Sequence, residues 1–554
     1  MKKAIAVITV ILAVIIAGTV TLICTCGKRN ETYNGIVIDK TKTQLYVGNY
    51  DGGAGHEWLN IAIDGFEEEY KSESFEKGKT GVQVLPRNLK DEFMGTLLLE
   101  NIADGKEDIV ITGTISYADF VAADVLLDIT DVVTAGGENS AEKRMNESMR
   151  RTFDMGTESQ SKYYGVPTLA SLSGIVYDVD LFEDEKLYFG EGSTASRPVW
   201  TGAENKSAGM DGEKGTYDDG LPETWEQLKV LMTRMVTKNI TPFTWSGMYD
   251  TYRQRFMNYI WASYEGADDF LLNYSFSGTD SDSGDIDYSN GYLLQKQNGK
   301  YAALKVAEYI VKNSTLYSEN AMKTSQSHSQ AQTEYLTSVE KEKRIAMLLE
   351  GTWWENEARG TFDGMIKYSP DYAYGVRRFG YMPFPRFIGS AGIPDTDQSK
   401  TTLLCDAGSG AVIAKKNVDH PELVKKFIAY LLRTDTQAMF TATTGLPMPY
   451  SYSLTEDQYA SMTNYARTIW DLVTSEDAEL VYPVYDTPIR IENTTFFSNW
   501  DWGANVTINK VNQTVNEPMM TFYSYPTITA EDYFSGLSRN FSSAKWQELA
   551  NYFN

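Results

Sequence analysis

Cysteine and histidine are scarce in this sequence. Cys24 and Cys26 lie beside an apolar N-terminal segment, and Cys405 is the only cysteine in the body of the chain. A single body cysteine gives no intramolecular disulfide framework. The sequence has three histidines: His56, His328 and His420. Too few Cys and His side chains remain for a Cys/His metal site, so we expect neither a metal nor a cofactor.

Basic residues are also few relative to acidic ones. Lys and Arg number 50 against 75 Asp and Glu, which gives a net charge of -25. No basic stripe interleaved with aromatic residues occurs, and phosphate binding needs clustered Lys and Arg. We therefore expect no nucleic-acid partner. The acidity is typical of a soluble domain outside the cytoplasm.

Two common catalytic motifs are missing. No GxSxG nucleophile motif occurs, and His56-Glu57 is followed by Trp58-Leu59-Asn60 rather than by the HExxH zinc pattern. We therefore predict no catalytic residue. A glycoside hydrolase stays open as an alternative, because two suitably spaced carboxylates can always be found among so many acidic residues.

The N-terminus has the pattern of an export signal. Lys2-Lys3 precede residues 4–23, which carry no charge, and the sequence turns polar soon afterwards. A segment of this length fits a signal peptide or a membrane-spanning helix. Either interpretation places the rest of the chain outside the cytoplasm.

A cysteine at the outer edge of this segment resembles the lipid acceptor of a bacterial lipoprotein. We predict Cys26 as the attachment site, with Cys24 as the alternative and an uncleaved helical anchor as the other possibility. Residues 1–26 are then the signal and anchor, and residues 27–43 a tether.

The body alternates short apolar runs with amphipathic segments. We predict strands at 44–49, 80–85 and 108–112, and helices at 59–70, 301–312, 332–349 and 421–432. Thr224 is placed to cap a helix that begins at Trp225. This alternation predicts an α/β architecture with largely parallel sheets. A polar stretch within 183–220 is interpreted as a surface insertion.

One acidic run mimics a calcium loop without completing it. Asp280, Asp282, Asp285 and Asp287 have suggestive spacing, but Gly284 stands where the pattern needs a ligand. We interpret the run as a solvated acidic loop.

Several motifs together carry a family likeness. They are DIVIT followed by LLDIT, YGVPTLASLSGIVYDVDLF at 164–182, LPETWEQL at 221–228, AMLLEGTWWENEA at 346–358, and GSGAVIAKKNVDHPELVKKFIAYLL at 408–432. In this order and spacing the chain resembles the extracellular solute-binding proteins of carbohydrate ABC transporters, the group that includes maltose-binding protein.

The resemblance implies a two-lobed α/β fold with discontinuous lobes and a central ligand cleft. By carry-over, the first lobe holds residues 44–160 and 376–436, and the second holds 161–375 and 437–554. It also implies a monomer that captures a carbohydrate outside the cell and delivers it to the permease subunits of an importer. A surface sensor or a peptide-binding protein of the same fold is the alternative.

A sugar site needs flat aromatic faces for C–H groups and polar groups for hydroxyls. Trp353 matches the stacking tryptophan of the family, and each other aromatic could equally be core. Loops that follow strands are the favoured positions, because ligands bind there in open α/β sheets. The predicted ligand-binding residues are Tyr50, Asp51, His56, Glu57, Trp58, Tyr117, Asp119, Trp245, Trp353, Trp354, Glu357, Trp500 and Trp502.

Overall fold

The computed structural model describes residues 31–157, 159–396, 398–405, 410–483, 487, 489–490 and 493–553. The predicted signal, with Cys24 and Cys26, lies outside these residues. Within them, no helix is both long and apolar enough to cross a membrane.

Two mixed sheets form the centres of two lobes. Their strands, in chain order, are β1 (Thr43–Tyr50), β2 (Val82–Leu89), β3 (Ile109–Ile111), β4 (Gly165–Pro167), β5 (Ser173–Asp178), β6 (Thr241–Thr244), β7 (Ile345–Gly351), β8 (Phe379–Met382) and β9 (Ala411–Ala414).

The first sheet has the strand order β2-β1-β3-β9-β4, and the second has β6-β7-β5-β8. In the first, β1 pairs in parallel with β2 and β3, whereas β9 runs antiparallel to β3 and β4. In the second, β6 and β7 are parallel, and β5 is antiparallel to both of its neighbours. The predicted two-lobed α/β fold is therefore confirmed, but the prediction of largely parallel sheets is wrong, because four of the seven strand pairings in these two sheets are antiparallel.

Longer helices flank the strands in sequence, and several of them pack directly on the two sheets. They are α1 (Glu57–Glu69), α2 (Trp225–Thr237), α3 (Asp250–Ser275), α4 (Asn298–Lys312), α5 (His328–Thr337), α6 (Pro421–Leu431), α7 (Thr434–Thr444), α8 (Asn464–Thr474), α9 (Ala530–Asn540) and α10 (Ser543–Phe553). As predicted, Thr224 caps α2: its hydroxyl accepts from the Gln227 amide, and the Gln227 side chain accepts from the Thr224 backbone.

Shorter elements complete the chain. The short helices are Gly95–Asn101, Tyr117–Ala122, Thr130–Val133, Ala141–Arg144, Glu147–Phe153, Val179–Asp184, Trp354–Glu357, Arg359–Met365, Glu456–Ser461, Thr494–Phe497 and Pro518–Ser524, with 3₁₀ turns at Asp91–Phe93, Gly137–Asn139, Gly291–Lys296, Ser314–Leu316, Ser338–Glu340 and Pro370–Tyr372. The minor strand pairs are Thr32–Tyr33 with Ile36–Val37, Tyr188–Phe189 with Trp200–Thr201, Gly278–Asp280 with Gly284–Ile286, Thr401–Leu404 with Ala478–Val481, and Ala504–Ile508 with Val511–Val515.

The helix predicted over 332–349 is wrong in its second half. Helix α5 ends at Thr337, and the apolar run from Ile345 forms β7. All seven residues of β7 are buried, because the strand lies inside the second sheet with neighbours on both sides. A continuous apolar run fits such a strand and a buried helix equally well, so periodicity could not separate them.

Strand pairing also moves the predicted lobe boundaries. Strand β4 belongs to the first sheet, although the sequence places residues 161–375 in the second lobe. Strand β8 belongs to the second sheet, although 376–436 is assigned to the first. Helix α7 packs against α1 of the first lobe. The chain thus crosses between the lobes at 168–172, between the strand Thr401–Leu404 and β9, and at 445–463.

Candidate functional site

The ends of β1 and β7 meet where the two lobes approach each other. Strand β1 ends at Tyr50 and leads into the loop 51–56, whereas β7 ends just before Trp353. A Cβ atom on Gly53 would lie 3.0 Å from the Cβ of Trp353, so the two loops are in contact. Gly53 also has a φ of 50°, which disfavours any larger residue at this point.

Four ring side chains form one side of this junction, which we call the aromatic wall: Tyr249, Tyr252, His328 and Trp353. The rings of Tyr252 and His328 are stacked, with centroids 5.9 Å apart and an interplanar angle of 10°. Tyr249 lies 5.6 Å from His328, and Tyr252 meets Trp353 edge-on at 6.5 Å. Trp353 is half-buried and Tyr249 is exposed, so the wall is accessible from solvent.

Two glutamates and one amide lie beside the aromatic wall. Gln332 Nε2 donates to Glu350 Oε1 at 2.9 Å and to Glu357 Oε2 at 3.2 Å. The other Glu350 oxygen accepts from the Gly351 amide at 2.8 Å. Burial, helped by the charge of Glu357, raises the pKa of Glu350 to about 8. Glu350 is therefore mostly protonated at neutral pH, whereas Glu357 is partly open to solvent.

Opposite charges face each other across the junction. Lys90 Nζ of the first lobe lies 3.8 Å from Glu357 Oε1 of the second, and Arg359 Nη1 lies 3.6 Å from Glu57 Oε2. The Arg255 guanidinium lies over the Trp353 ring, 5.3 Å from its centroid. The two ion pairs join the lobes, whereas Arg255 and Trp353 both belong to the second lobe.

The structure brings together part of the predicted site. Around Trp353 and Glu357, the first lobe contributes the loop with Asp51, whose Oδ1 lies 3.0 Å from Nδ1 of His56. Tyr50 is half-buried beneath this loop, and burial raises the pKa of its hydroxyl. Asp119 is exposed in the first turn of the helix Tyr117–Ala122. None of the contacts among the described residues joins Asp119 to the cleft.

Six of the predicted binding residues lie in the hydrophobic core: Trp58, Tyr117, Trp245, Trp354, Trp500 and Trp502. The neighbours of Trp354 show why, since its ring is enclosed by those of Tyr335, Phe362, Phe379 and Tyr465. A ring enclosed in this way has no open face for a ligand. Trp353 and Trp354 are adjacent in sequence but point into different surroundings.

The other five buried residues of the predicted site are also held in the core by ring contacts or hydrogen bonds. Trp58 meets Phe440 edge-on at 4.9 Å, and Trp245 packs at 5.1 Å from Tyr317. The Tyr117 hydroxyl accepts from the Tyr164 amide and donates to the Phe153 carbonyl. The indole nitrogens of the last two donate inward, Trp500 to Asn273 and Trp502 to Asn258.

Three of the four rings in the aromatic wall, and the neighbouring Gln332 and Glu350, were not predicted from the sequence. Tyr249 and Tyr252 lie at the N-terminus of α3, and His328 and Gln332 lie on one face of α5. The signal was present, since residues three or four apart on a helix share a face. Gln332 and Glu350 are buried, which sequence spacing alone does not reveal.

A second carboxylate group lies away from the cleft. Ligand oxygens of Glu265, Asp269 and Asp280 all lie within 4.8 Å of one another, and all three residues are buried. Burial raises the pKa of Glu265 well above its usual value. The sequence predicted a solvated acidic loop here. That prediction is wrong for Asp280, which is buried. Within the described residues, this is the one group that could hold a metal ion.

Comparison with protein families decides the class of this molecule. A family model described as bacterial extracellular solute-binding protein matches residues 61–438, which is more than half of the chain. The chain belongs to this family. None of the curated proteins matches it.

Solved structures of similar shape support the fold. RafE in complex with raffinose has 15% sequence identity and a TM-score of 0.51, covering 90% of this chain and 100% of that one. A chitin oligosaccharide binding protein has 14% identity and a TM-score of 0.52, covering 92% and 99%. A probable secreted solute-binding lipoprotein from Streptomyces coelicolor has 13% identity and a TM-score of 0.54, covering 91% and 99%. At these identities the likeness shows the fold.

Proposed function

We propose that the protein binds an oligosaccharide in the cleft between its lobes and delivers it to the permease of an ABC importer. The observation that carries the proposal is the half-buried Trp353 ring at the junction, bordered by carboxylate, amide and imidazole groups. A sugar ring presents C–H groups on its face and hydroxyls at its edge. The aromatic wall can pack against that face, while Glu357 and His328 bind hydroxyls at the rim.

The names of similar structures support a carbohydrate rather than another solute. One is described in complex with raffinose, another with mannobiose, and a third as binding chitin oligosaccharides. Peptide recognition relies mainly on main-chain pairing with an exposed strand edge. The junction instead offers side-chain rings and acceptors that follow the strands.

The arrangement of the two glutamates favours binding over hydrolysis. Glu350 and Glu357 both accept from the same Gln332 amide, so they lie on one wall of the cleft. A glycoside hydrolase needs carboxylates that flank the scissile bond. We propose that the protein is not an enzyme and acts as a monomer. We also propose that a lipid on Cys26, or on Cys24, attaches the protein to the outer face of the cytoplasmic membrane.

A ligand screen tests this function. Purified protein is titrated by calorimetry with raffinose, mannobiose, chitin oligosaccharides and xylo-oligosaccharides, and with a peptide mixture for comparison. We expect saturable binding of at least one oligosaccharide, with the sugar recovered unchanged. Binding of peptides alone would contradict the carbohydrate proposal, and cleavage of the sugar would favour the hydrolase.

A further inference from the structure

A separate cavity of about 610 Å³ lies at the hinge, away from the aromatic wall. Its walls come from the first lobe near Met145, from two crossing segments at Ala170 and 447–453, and from α8 of the second lobe. This volume is within the usual range for small-molecule sites, which is roughly 300–1,000 Å³. The cavity therefore has room for a ligand of its own.

Most of the lining is apolar or aromatic. Met145 and Ala170 are buried at the base, and Val473 is half-buried on α8. The ring of Tyr452 on the crossing segment contacts the ring of Trp470 on α8, with centroids 5.3 Å apart at an angle of 50°. Such a surface favours a ligand with a flat or aliphatic body.

One cation, Arg144, borders this apolar space. Its guanidinium is half-buried and donates only to neutral acceptors: the Gln437 side chain at 2.6 Å and the carbonyls of Leu432, Asn139 and Ser451. Among the described residues no carboxylate lies within 4.0 Å of it, unlike Arg150 nearby, which binds Glu147 at 2.8 Å. A partly desolvated charge without a counter-charge is unfavourable, and an anionic ligand would neutralise it.

We propose that the hinge cavity binds a small organic carboxylate with an aromatic or aliphatic body, its anion on Arg144 and its body against the rings of Tyr452 and Trp470. Both lobes contact the occupant, so binding stabilises the lobe arrangement that gives the cavity this shape. The ligand acts on the cleft without entering it. This inference does not depend on which solute the cleft takes.

Phenylacetate is the probe, because it joins one ring to one carboxylate. Calorimetry on the intact protein compares it with phenylacetamide, which keeps the ring without the charge, and with acetate, which lacks the ring. We expect phenylacetate to bind at least about tenfold more tightly than either comparator. No phenylacetate binding up to about 10 mM would overturn the proposal.

Two kinds of variant localise the site. Val473→Trp fills the cavity and should abolish binding, while Arg144→Gln should reduce the preference for phenylacetate over phenylacetamide to less than about twofold. Lys143→Gln removes an exposed charge one residue away, and Val511→Trp adds the same ring on a remote exposed hairpin. Both controls should bind like the parent protein.

Folding of the variants is checked by thermal melting. If Val473→Trp does not fold, Thr474→Trp at the exposed rim of the cavity takes its place. Two results would overturn the assignment. One is phenylacetate binding by a folded Val473→Trp or Thr474→Trp variant, and the other is an unchanged preference for phenylacetate over phenylacetamide in Arg144→Gln.

Discussion

The aromatic wall of the cleft and the aromatic cluster near the C-terminus are both built from ring side chains, but their polar surroundings differ. The C-terminal aromatic cluster consists of Phe276, Phe497, Trp500, Phe541 and Trp546, all of them buried. The centroids of its contacting rings lie 5.1–6.1 Å apart, for example those of Trp500 and Phe541 at 5.1 Å. The wall instead leaves ring faces half-open beside Glu357 and Arg255.

This difference shows what separates a binding surface from a core. In the cluster, the polar atoms of Trp500 are used internally: its indole donates to Asn273, and its carbonyl accepts from the buried Lys300. In the wall, partly exposed charges surround the rings and are shared between two lobes. Aromatic content alone therefore does not identify a sugar site. The neighbouring polar groups do.

Truncation of Trp500 should have the largest effect on stability. Trp500→Ala leaves a cavity and removes the indole donor from the buried Asn273 side chain, so we expect the free energy of unfolding to fall by about 3–5 kcal/mol. Trp353→Ala, the same change in the half-open wall, should cost less than about 1 kcal/mol. Urea unfolding measures both. Equal losses would contradict the distinction between core and wall.

Neutralising Glu350 should change how stability depends on pH. Burial raises its pKa from 4.5 to about 8, so the folded protein keeps a proton that the unfolded chain loses. Between these values the free energy of unfolding falls as pH rises, and above about 8 the contribution is constant. Glu350→Gln should remove this slope and stabilise the protein by on the order of a few kcal/mol at pH 8.

The matched control for this prediction is Glu342→Gln, an exposed glutamate shortly before β7. It should leave the slope unchanged. Chemical unfolding between pH 5 and 9 decides the question, and a Glu350→Gln variant with the parent slope would show that Glu350 is ionised in the folded protein.

Removing the Trp353 ring should weaken sugar binding without unfolding the protein. We expect Trp353→Ala to lower the affinity for the oligosaccharide found in the screen by about tenfold or more, equivalent to about 1.4 kcal/mol. Trp200→Ala is the control, since Trp200 is also half-buried but lies in the 183–220 insertion beside Phe189. Unchanged affinity in Trp353→Ala would remove the wall from the site.

Breaking the ion pair between the lobes should have the smallest effect. Lys90 is exposed, and such pairs contribute roughly 0–1 kcal/mol. Lys90→Ala should weaken sugar binding by less than about fivefold, and the difference should vanish at high salt. Lys77→Ala removes an exposed lysine of the same lobe as a control. A tenfold loss that persists in salt would mean that Lys90 contacts the ligand directly.

Much of the fold follows from sequence patterns that act locally. Helix α6 was predicted within one residue, since a clean amphipathic stripe fits only a helix. Strand β1 was also predicted within one residue at each end, since its short apolar run is followed by the glycine-rich turn at Gly52-Gly53. The apolar run at 345–351 fits a buried helix as well as a buried strand, and it forms a strand because it pairs with neighbouring strands on both sides. Lobe boundaries depend on pairing between distant strands, which no local pattern encodes.

The candidate site was predictable where a motif fixed it and not elsewhere. Trp353 and Glu357 lie in a motif whose position after a strand places them at the junction. Trp245, Trp500 and Trp502 also follow strands or turns, but all three are covered. Tyr317 packs against Trp245, and residues of α3 and α4 pack against Trp500 and Trp502. Such burial depends on the additional layers of this chain, which sequence spacing does not show.

A crystal structure of the protein with its tightest-binding oligosaccharide tests the central claim most directly. The account predicts a sugar ring packed on the Trp353 face between the lobes, with its hydroxyls bonded to Glu357 and His328. A sugar bound elsewhere, with the Trp353 ring still uncovered, would contradict it.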